Sequence, residues 1–166
     1  VRLLTLIGAG GCGKTRLAVE TARRLDTRFP GGILFVDLSP LENQGLVQQA
    51  ILKRLGIHDP ASDAPFATLP DRVGNAPMLV ILDNCEHVAE ACAEAVRSIL
   101  EASSVITFLA TSRVPLLISG EQAYRVPSLS LPTDFTSVTP HMVQRSEAGA
   151  LFLYHALAVR PSLALD

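Results

Sequence analysis

The 166-residue chain is short of charge: Asp, Glu, Lys and Arg make up 18% of it and the formal net charge is −2. An ordinary globular protein carries about a quarter charged residues. With no basic excess, nothing in the sequence supports direct contact between this segment and nucleic acid. Long hydrophobic runs are also missing. The longest uninterrupted aliphatic stretch, Met78 to Leu82, is too short to span a bilayer. No secretory signal opens the sequence, so a cytoplasmic protein without a membrane anchor is expected. Cysteine is scarce: Cys12, Cys85 and Cys92 are odd in number and irregular in spacing, which argues for reduced thiols. The four histidines, His58, His87, His141 and His155, show no metal-ligand spacing. Internal repeats and low-complexity tracts are absent as well. What remains is 48% hydrophobic, enough for one domain with a proper core whose central strands are buried on both faces.

That apolar content is arranged in alternating strand-like and helix-like segments. Leu3 to Ile7, Ile33 to Asp37, Met78 to Leu82, Val105 to Ala110 and Gln122 to Val126 read as strands. Lys14 to Phe29, Asn43 to Leu55, Phe66 to Val73 and Glu86 to Glu101 read as helices, with Gly56 at a C-cap. Residues His58 to Ala67 read as a loop and Pro127 to Pro140 as a linker. A final helix runs from an N-cap at Ser146 to Ala158. Strands alternating with helices predict an α/β fold with a mainly parallel sheet and helices on both faces. Ligands of such sheets sit beyond the carboxyl ends of the strands.

The sequence places chemistry at those ends. Gly8-Ala9-Gly10-Gly11-Cys12-Gly13-Lys14-Thr15 follows the first strand and opens the first helix, matching the phosphate-binding pattern G-x-x-x-x-G-K-[ST]. Glycines let the backbone wrap closely around a phosphate, and successive N–H groups form an anion nest at a helix N-terminus. Lys14 adds a mobile positive charge, Thr15 offers a hydroxyl to Mg2+, and Arg16 lies in the same first turn. Cys12 either is reactive at a helix N-terminus or is simply a small residue that fits.

Three other strand ends carry polar residues. Asp83 follows an apolar strand, the Walker B pattern, where a carboxylate helps to hold magnesium. With Glu86 three residues on, the alternative is that it caps a helix, and both roles can coexist. The position after Asp83, where many such ATPases carry a second acid, is Asn84, which cannot accept a proton. Glu86 and His87 are the nearest alternatives for orienting an attacking water, so slow, switch-like turnover is expected. Arg113 suits a phosphate fork, or is a surface arginine. Asp37 is as well explained by a turn.

In order, Leu3 to Thr15, Phe35-Val36-Asp37-Leu38-Ser39-Pro40-Leu41, Leu79 to Val88 with its Asp-Asn-Cys-Glu-His string, and Leu109-Ala110-Thr111-Ser112-Arg113 resemble the NB-ARC-like STAND ATPases of large bacterial transcriptional regulators. The resemblance implies a RecA/AAA-like three-layer α/β/α domain in which the sensor strand lies between the Walker A and Walker B strands. It implies ATP–ADP exchange with Mg2+ as a conformational switch. It also implies sensor repeats and a DNA-binding effector elsewhere in the polypeptide, and self-association of the intact protein. Matched by position, Lys14 and Thr15 are the Walker A lysine and threonine, Asp83 the Walker B aspartate and Arg113 the sensor arginine. Family members continue into a helical lid with a Gly-Leu-Pro-Leu motif near the adenine. Here residues 1–140 are expected to form the nucleotide-binding domain and 141–166 the start of a truncated lid, as in a fragment of a larger protein.

Other classes fit less well. A small-molecule phosphotransferase needs an acceptor pocket and an arginine-bearing lid, and neither is visible. A GTPase needs an Asn-Lys-x-Asp signature, and the chain has no Asn-Lys pair. A module that holds ADP without turnover is the remaining alternative.

Overall fold

The computed structural model describes residues 1–57, 66, 69–132 and 139–160. Five strands, β1 (Leu3–Ile7), β2 (Ile33–Asp37), β3 (Met78–Asp83), β4 (Ile106–Ser112) and β5 (Glu121–Arg125), form one sheet in the order β2-β3-β4-β1-β5. Every pairing is parallel. The strand carrying Arg113 thus lies between those leading to the glycine turn and to Asp83, as the resemblance implies.

The central strands are continuous apolar runs because each of their faces is covered. In β3, Val80 and Leu82 point into a large core with Leu3, Val36, Ile106 and Phe108, roofed by α2 (Val47–Arg54) and α4 (Ala89–Ala102). Leu79 and Ile81 point the other way, into a smaller core with Leu6, Leu109 and Ala18 and Ala22 of α1 (Lys14–Arg24). This is the period-two alternation of a strand. In α4 the buried residues Cys92, Ala95, Val96 and Ile99 recur at helical spacing, and its alanines allow close approach to the sheet. The edge strand β5 is largely exposed.

Several element boundaries differ from the sequence expectation, three helix boundaries most. α1 stops at Arg24, and Asp26–Arg28 forms a separate 3-10 turn before Phe29. Asn43 caps a 3-10 turn (Gln44–Leu46), accepting from the Gly45 N–H at 2.9 Å, and α2 proper begins only at Val47. α4 begins at Ala89, not Glu86, because Asn84 adopts a left-handed conformation (φ 62°) and launches a 3-10 turn over Cys85–His87. Of the expected helix from Phe66, the described part is α3 (Leu69–Val73); most of the expected loop before it lies outside the described residues. Gly56 has φ 78° after α2, as a C-cap requires.

The chain divides into two compact units, Val1–Val126 and Pro127–Asp166. The second contains α5 (Pro140–Arg145) and α6 (Glu147–Val159). Ser146 caps α6, accepting from the Gly149 N–H at 3.1 Å, as expected. Ser130 and Glu147 brace each other: the Glu147 carboxylate accepts from the Ser130 N–H at 2.8 Å, and the Ser130 hydroxyl accepts from the Glu147 N–H at 3.0 Å. Among the described residues, no helix is long and apolar enough to cross a membrane.

Candidate functional site

Register alone gathers the polar strand ends. Asp37 pairs with Asp83 across β2 and β3, and Ile7 pairs with Ser112 across β1 and β4. The turn after Ile7, Asp83 and the turn after Ser112 therefore share one sheet edge. The Gly8 N–H donates to the Ser112 carbonyl at 3.3 Å, tying the start of the glycine turn to the end of β4.

Gly11 and Gly13 have φ of 79° and 89°, a region that disfavours side chains. Gly13 stands at the N-cap of α1 with no side-chain cap, so the first-turn N–H groups are left for an anion. Gly8 is fixed by space: a Cβ there would stand 2.9 Å from Cys12 Sγ and 3.1 Å from the Val126 carbonyl oxygen. Cys12 is half-buried and packs against Gly8, as a small residue that fits. Ala9 and Gly10 are exposed on the turn, and Arg16 is exposed on the first turn of α1.

Lys14 is only 8% exposed, and its Nζ donates to the carbonyls of Gly8 (3.0 Å) and Ala9 (2.9 Å). The ammonium is thus folded back across the mouth of the turn. The Thr15 hydroxyl donates to Asp83, 2.8 Å from Oδ1 and 3.0 Å from Oδ2. Asp83 is 3% exposed and receives two further donors. Thr111 Oγ1 donates to Oδ1 at 2.5 Å, and Asn84 Nδ2 to Oδ2 at 3.3 Å. Thr111 Oγ1 in turn accepts from the Asn84 N–H at 3.0 Å. The capping alternative for Asp83 is corrected: it caps no helix, since the residue before α4 is Val88 and a 3-10 turn intervenes. Its carboxylate faces the glycine turn instead. The sequence reading missed Thr111, whose signal was its place at a strand end beside the Asp83 strand.

Arg113 follows β4, and its Nε donates to Glu86 Oε1 at 3.1 Å. Its Nη2 lies 3.6 Å from where a Cβ on Gly10 would stand, so the guanidinium reaches the glycine turn. Glu86 Oε2 is buried with no hydrogen-bond partner among the described residues. His87 lies elsewhere. Its Nε2 sits 3.0 Å and 3.1 Å from the carbonyls of Leu38 and Leu41, which only accept, so this nitrogen carries the proton and pins the loop after β2. His87 is therefore corrected from a water-orienting candidate to a structural anchor. The Ser39 hydroxyl first, and then the Ser39 N–H, which donates at 2.9 Å, hold the Asp37 carboxyl below its ordinary value. That is the turn role the sequence allowed.

A glycine turn with open N–H groups, a lysine across its mouth and a hydroxyl–carboxylate pair behind it fit a phosphate chain and a hard cation. Comparison with known proteins agrees. Residues 2–125 match the AAA domain family. The chain belongs to this family. It is 38% identical over 157 residues to the "Putative HTH-type transcriptional regulator Mb0914c" of Mycobacterium bovis, covering 95% of this chain and 18% of that protein. It is 34% identical over 121 residues to the regulatory protein AfsR of Streptomyces coelicolor, covering 68% of this chain and 12% of AfsR. The chain thus spans under a fifth of these relatives. Among solved structures, this AAA domain is similar to Cdc6p of Pyrobaculum aerophilum (TM-score 0.59, 15% identity, 93% of this chain and 43% of that one). It is also similar to the ORC2 protein of Aeropyrum pernix (TM-score 0.53, 17% identity, 95% and 45%). At such identities the likeness shows the P-loop NTPase fold. The expected relationship to P-loop domains of bacterial transcriptional regulators is borne out.

Proposed function

We propose that this AAA domain binds ATP and ADP with Mg2+ and works as a slow nucleotide-operated switch inside a larger transcriptional regulator. The supporting observation is the convergence of Lys14, Thr15 and Asp83 on the Gly8–Gly13 turn. Backbone N–H groups of the turn and of the first turn of α1, including Arg16, receive phosphate oxygens. Lys14 exchanges the Gly8 and Ala9 carbonyls for the β- and γ-phosphates, a stronger charge-assisted partner. Thr15 and Asp83, the latter held in place by Thr111 and Asn84, would hold the metal. Mg2+, when bound, neutralises phosphate charge and fixes the geometry of the terminal phosphate. Arg113 offers its guanidinium to that phosphate.

Once the site opens to nucleotide, Glu86, whose Oε2 has no hydrogen-bond partner among the described residues, is the nearest carboxylate to orient an attacking water. Asn84 cannot take its proton, and its amide is already committed to Asp83. Turnover is therefore slow. Residues 1–140 are the nucleotide-binding domain in this reading, and 141–166 the first part of a helical lid. Sensor and DNA-binding segments, and any self-association, belong to the longer polypeptide, as the regulator relatives suggest. Asn84 also favours a second reading, a module that holds ADP without hydrolysis.

Calorimetric titration with ATP, ADP and GTP, with and without Mg2+, tests this alongside phosphate release. Both adenine nucleotides bind, Lys14→Ala weakens ATP by about tenfold or more, and turnover stays below about 10 per second. ADP binding without phosphate release selects the second reading. Preference for GTP overturns both.

A further inference from the structure

We infer that Glu86 is a positioning residue that aims Arg113 at the terminal phosphate, so that the pair reads ATP against ADP; this rests on the nucleotide reading above. Arg113 follows β4 on a side chain 65% exposed, and Glu86 is its ion-pair partner. The pair uses one donor: Nε to Oε1 at 3.1 Å. A guanidinium has five N–H donors, so the Nη fork is left free. Nη2 is the atom that reaches Gly10. Nη2 carries one N–H beside Nε–H, on the side the carboxylate engages, and a second on the Nη1–Nη2 end, so that end remains to meet a phosphate at the glycine turn. A carboxylate competing with phosphate for Arg113 would take two parallel N–H donors, the bidentate arrangement such pairs favour, whereas Glu86 takes Nε alone.

Glu86 can brace because it is itself braced. It sits in the 3-10 turn begun by left-handed Asn84, whose N–H is held by Thr111. The next residue, His87, is pinned to two carbonyls. The Glu86 side chain is only 23% exposed. A long, exposed arginine loses rotamer freedom on binding, and fixing it in advance lowers that cost. The gain appears only with a ligand that carries the phosphate Arg113 faces.

A double-mutant cycle tests this with Mg2+ and two probes, ADP and the non-hydrolysable imido analogue of ATP. The analogue removes any effect of Glu86 on the attacking water. Arg113→Gln lowers analogue affinity about tenfold in the parent. In the Glu86→Gln background the same substitution costs about two- to fivefold less, the range open to a largely exposed ion pair. ADP affinity is the same in all four proteins, which reports an intact fold. If the Arg113→Gln penalty is unchanged or larger without Glu86, the brace is refuted, and Glu86 is a bystander or a competitor. If the parent binds neither probe at millimolar concentration, the nucleotide reading falls first. If ADP binds but the cycle shows no coupling, only the role of Glu86 falls.

Discussion

Thr111→Val keeps the side chain's shape and deletes its hydroxyl. Thr111 has no solvent exposure, and its Oγ1 serves two partners, donating to Asp83 Oδ1 at 2.5 Å and accepting from the Asn84 N–H at 3.0 Å. Valine strands the Asn84 amide and leaves Asp83 with Thr15 and Asn84 as donors. A hydrogen bond to a charged group contributes about 1.5–3 kcal/mol, and a stranded buried donor costs about 1–3 kcal/mol. Both losses come from one hydroxyl and do not add fully, so about 2–4 kcal/mol is expected. For a unit of this size each kcal/mol lowers Tm by roughly 4 °C, giving a drop of roughly 8–16 °C. Thermal melts followed by circular dichroism measure it, with Thr111→Ser as the control that retains the hydroxyl. A valine variant melting within about 2 °C of the parent would refute the reasoning.

Gly8→Ala drives a methyl against Cys12 Sγ and the Val126 carbonyl. It is expected to cost about 1–3 kcal/mol in urea unfolding, and Cys12→Ala added to it recovers part of the loss. Thiol titration of the native protein labels Cys12 alone, because Cys85 and Cys92 are fully buried. The contact with Cys92, then burial, hold the Cys85 thiol well above its ordinary value, so it stays protonated, and Cys85 and Cys92 react only in denaturant. Glu147 lies below its ordinary value of 4.5, first through the Ser130 N–H and then its hydroxyl. A depressed carboxylate contributes above its unfolded value and loses that contribution as pH falls through its folded one. The Ser130 amide resonance should therefore shift in acid below pH 4.5 while staying constant through neutrality.

The glycine turn was legible because it is local: strand, spacing and helix follow one another without a break from Leu3 to Arg24. The buried strands were legible because a parallel strand covered on both faces is one apolar run. Other features needed the third dimension. Thr111 meets Asp83 only because β4 lies beside β3, and Glu86 meets Arg113 across 27 residues of chain. The same distance hid the role of His87, whose partners are 49 and 46 residues away. The late start of α4 was hidden because one left-handed residue, Asn84, breaks a run whose composition is helical throughout.

The order of the sheet has a mechanical consequence. β4 is hydrogen-bonded along its length to β1 on one side and β3 on the other, so the three strands that present Gly8, Arg113 and Asp83 cannot slide past one another without breaking ladders on both flanks. The workbench is stiff. In the proposed switch, any difference between the loaded and spent forms must be expressed in what the strands hold out, the lysine, the arginine and the segments beyond them.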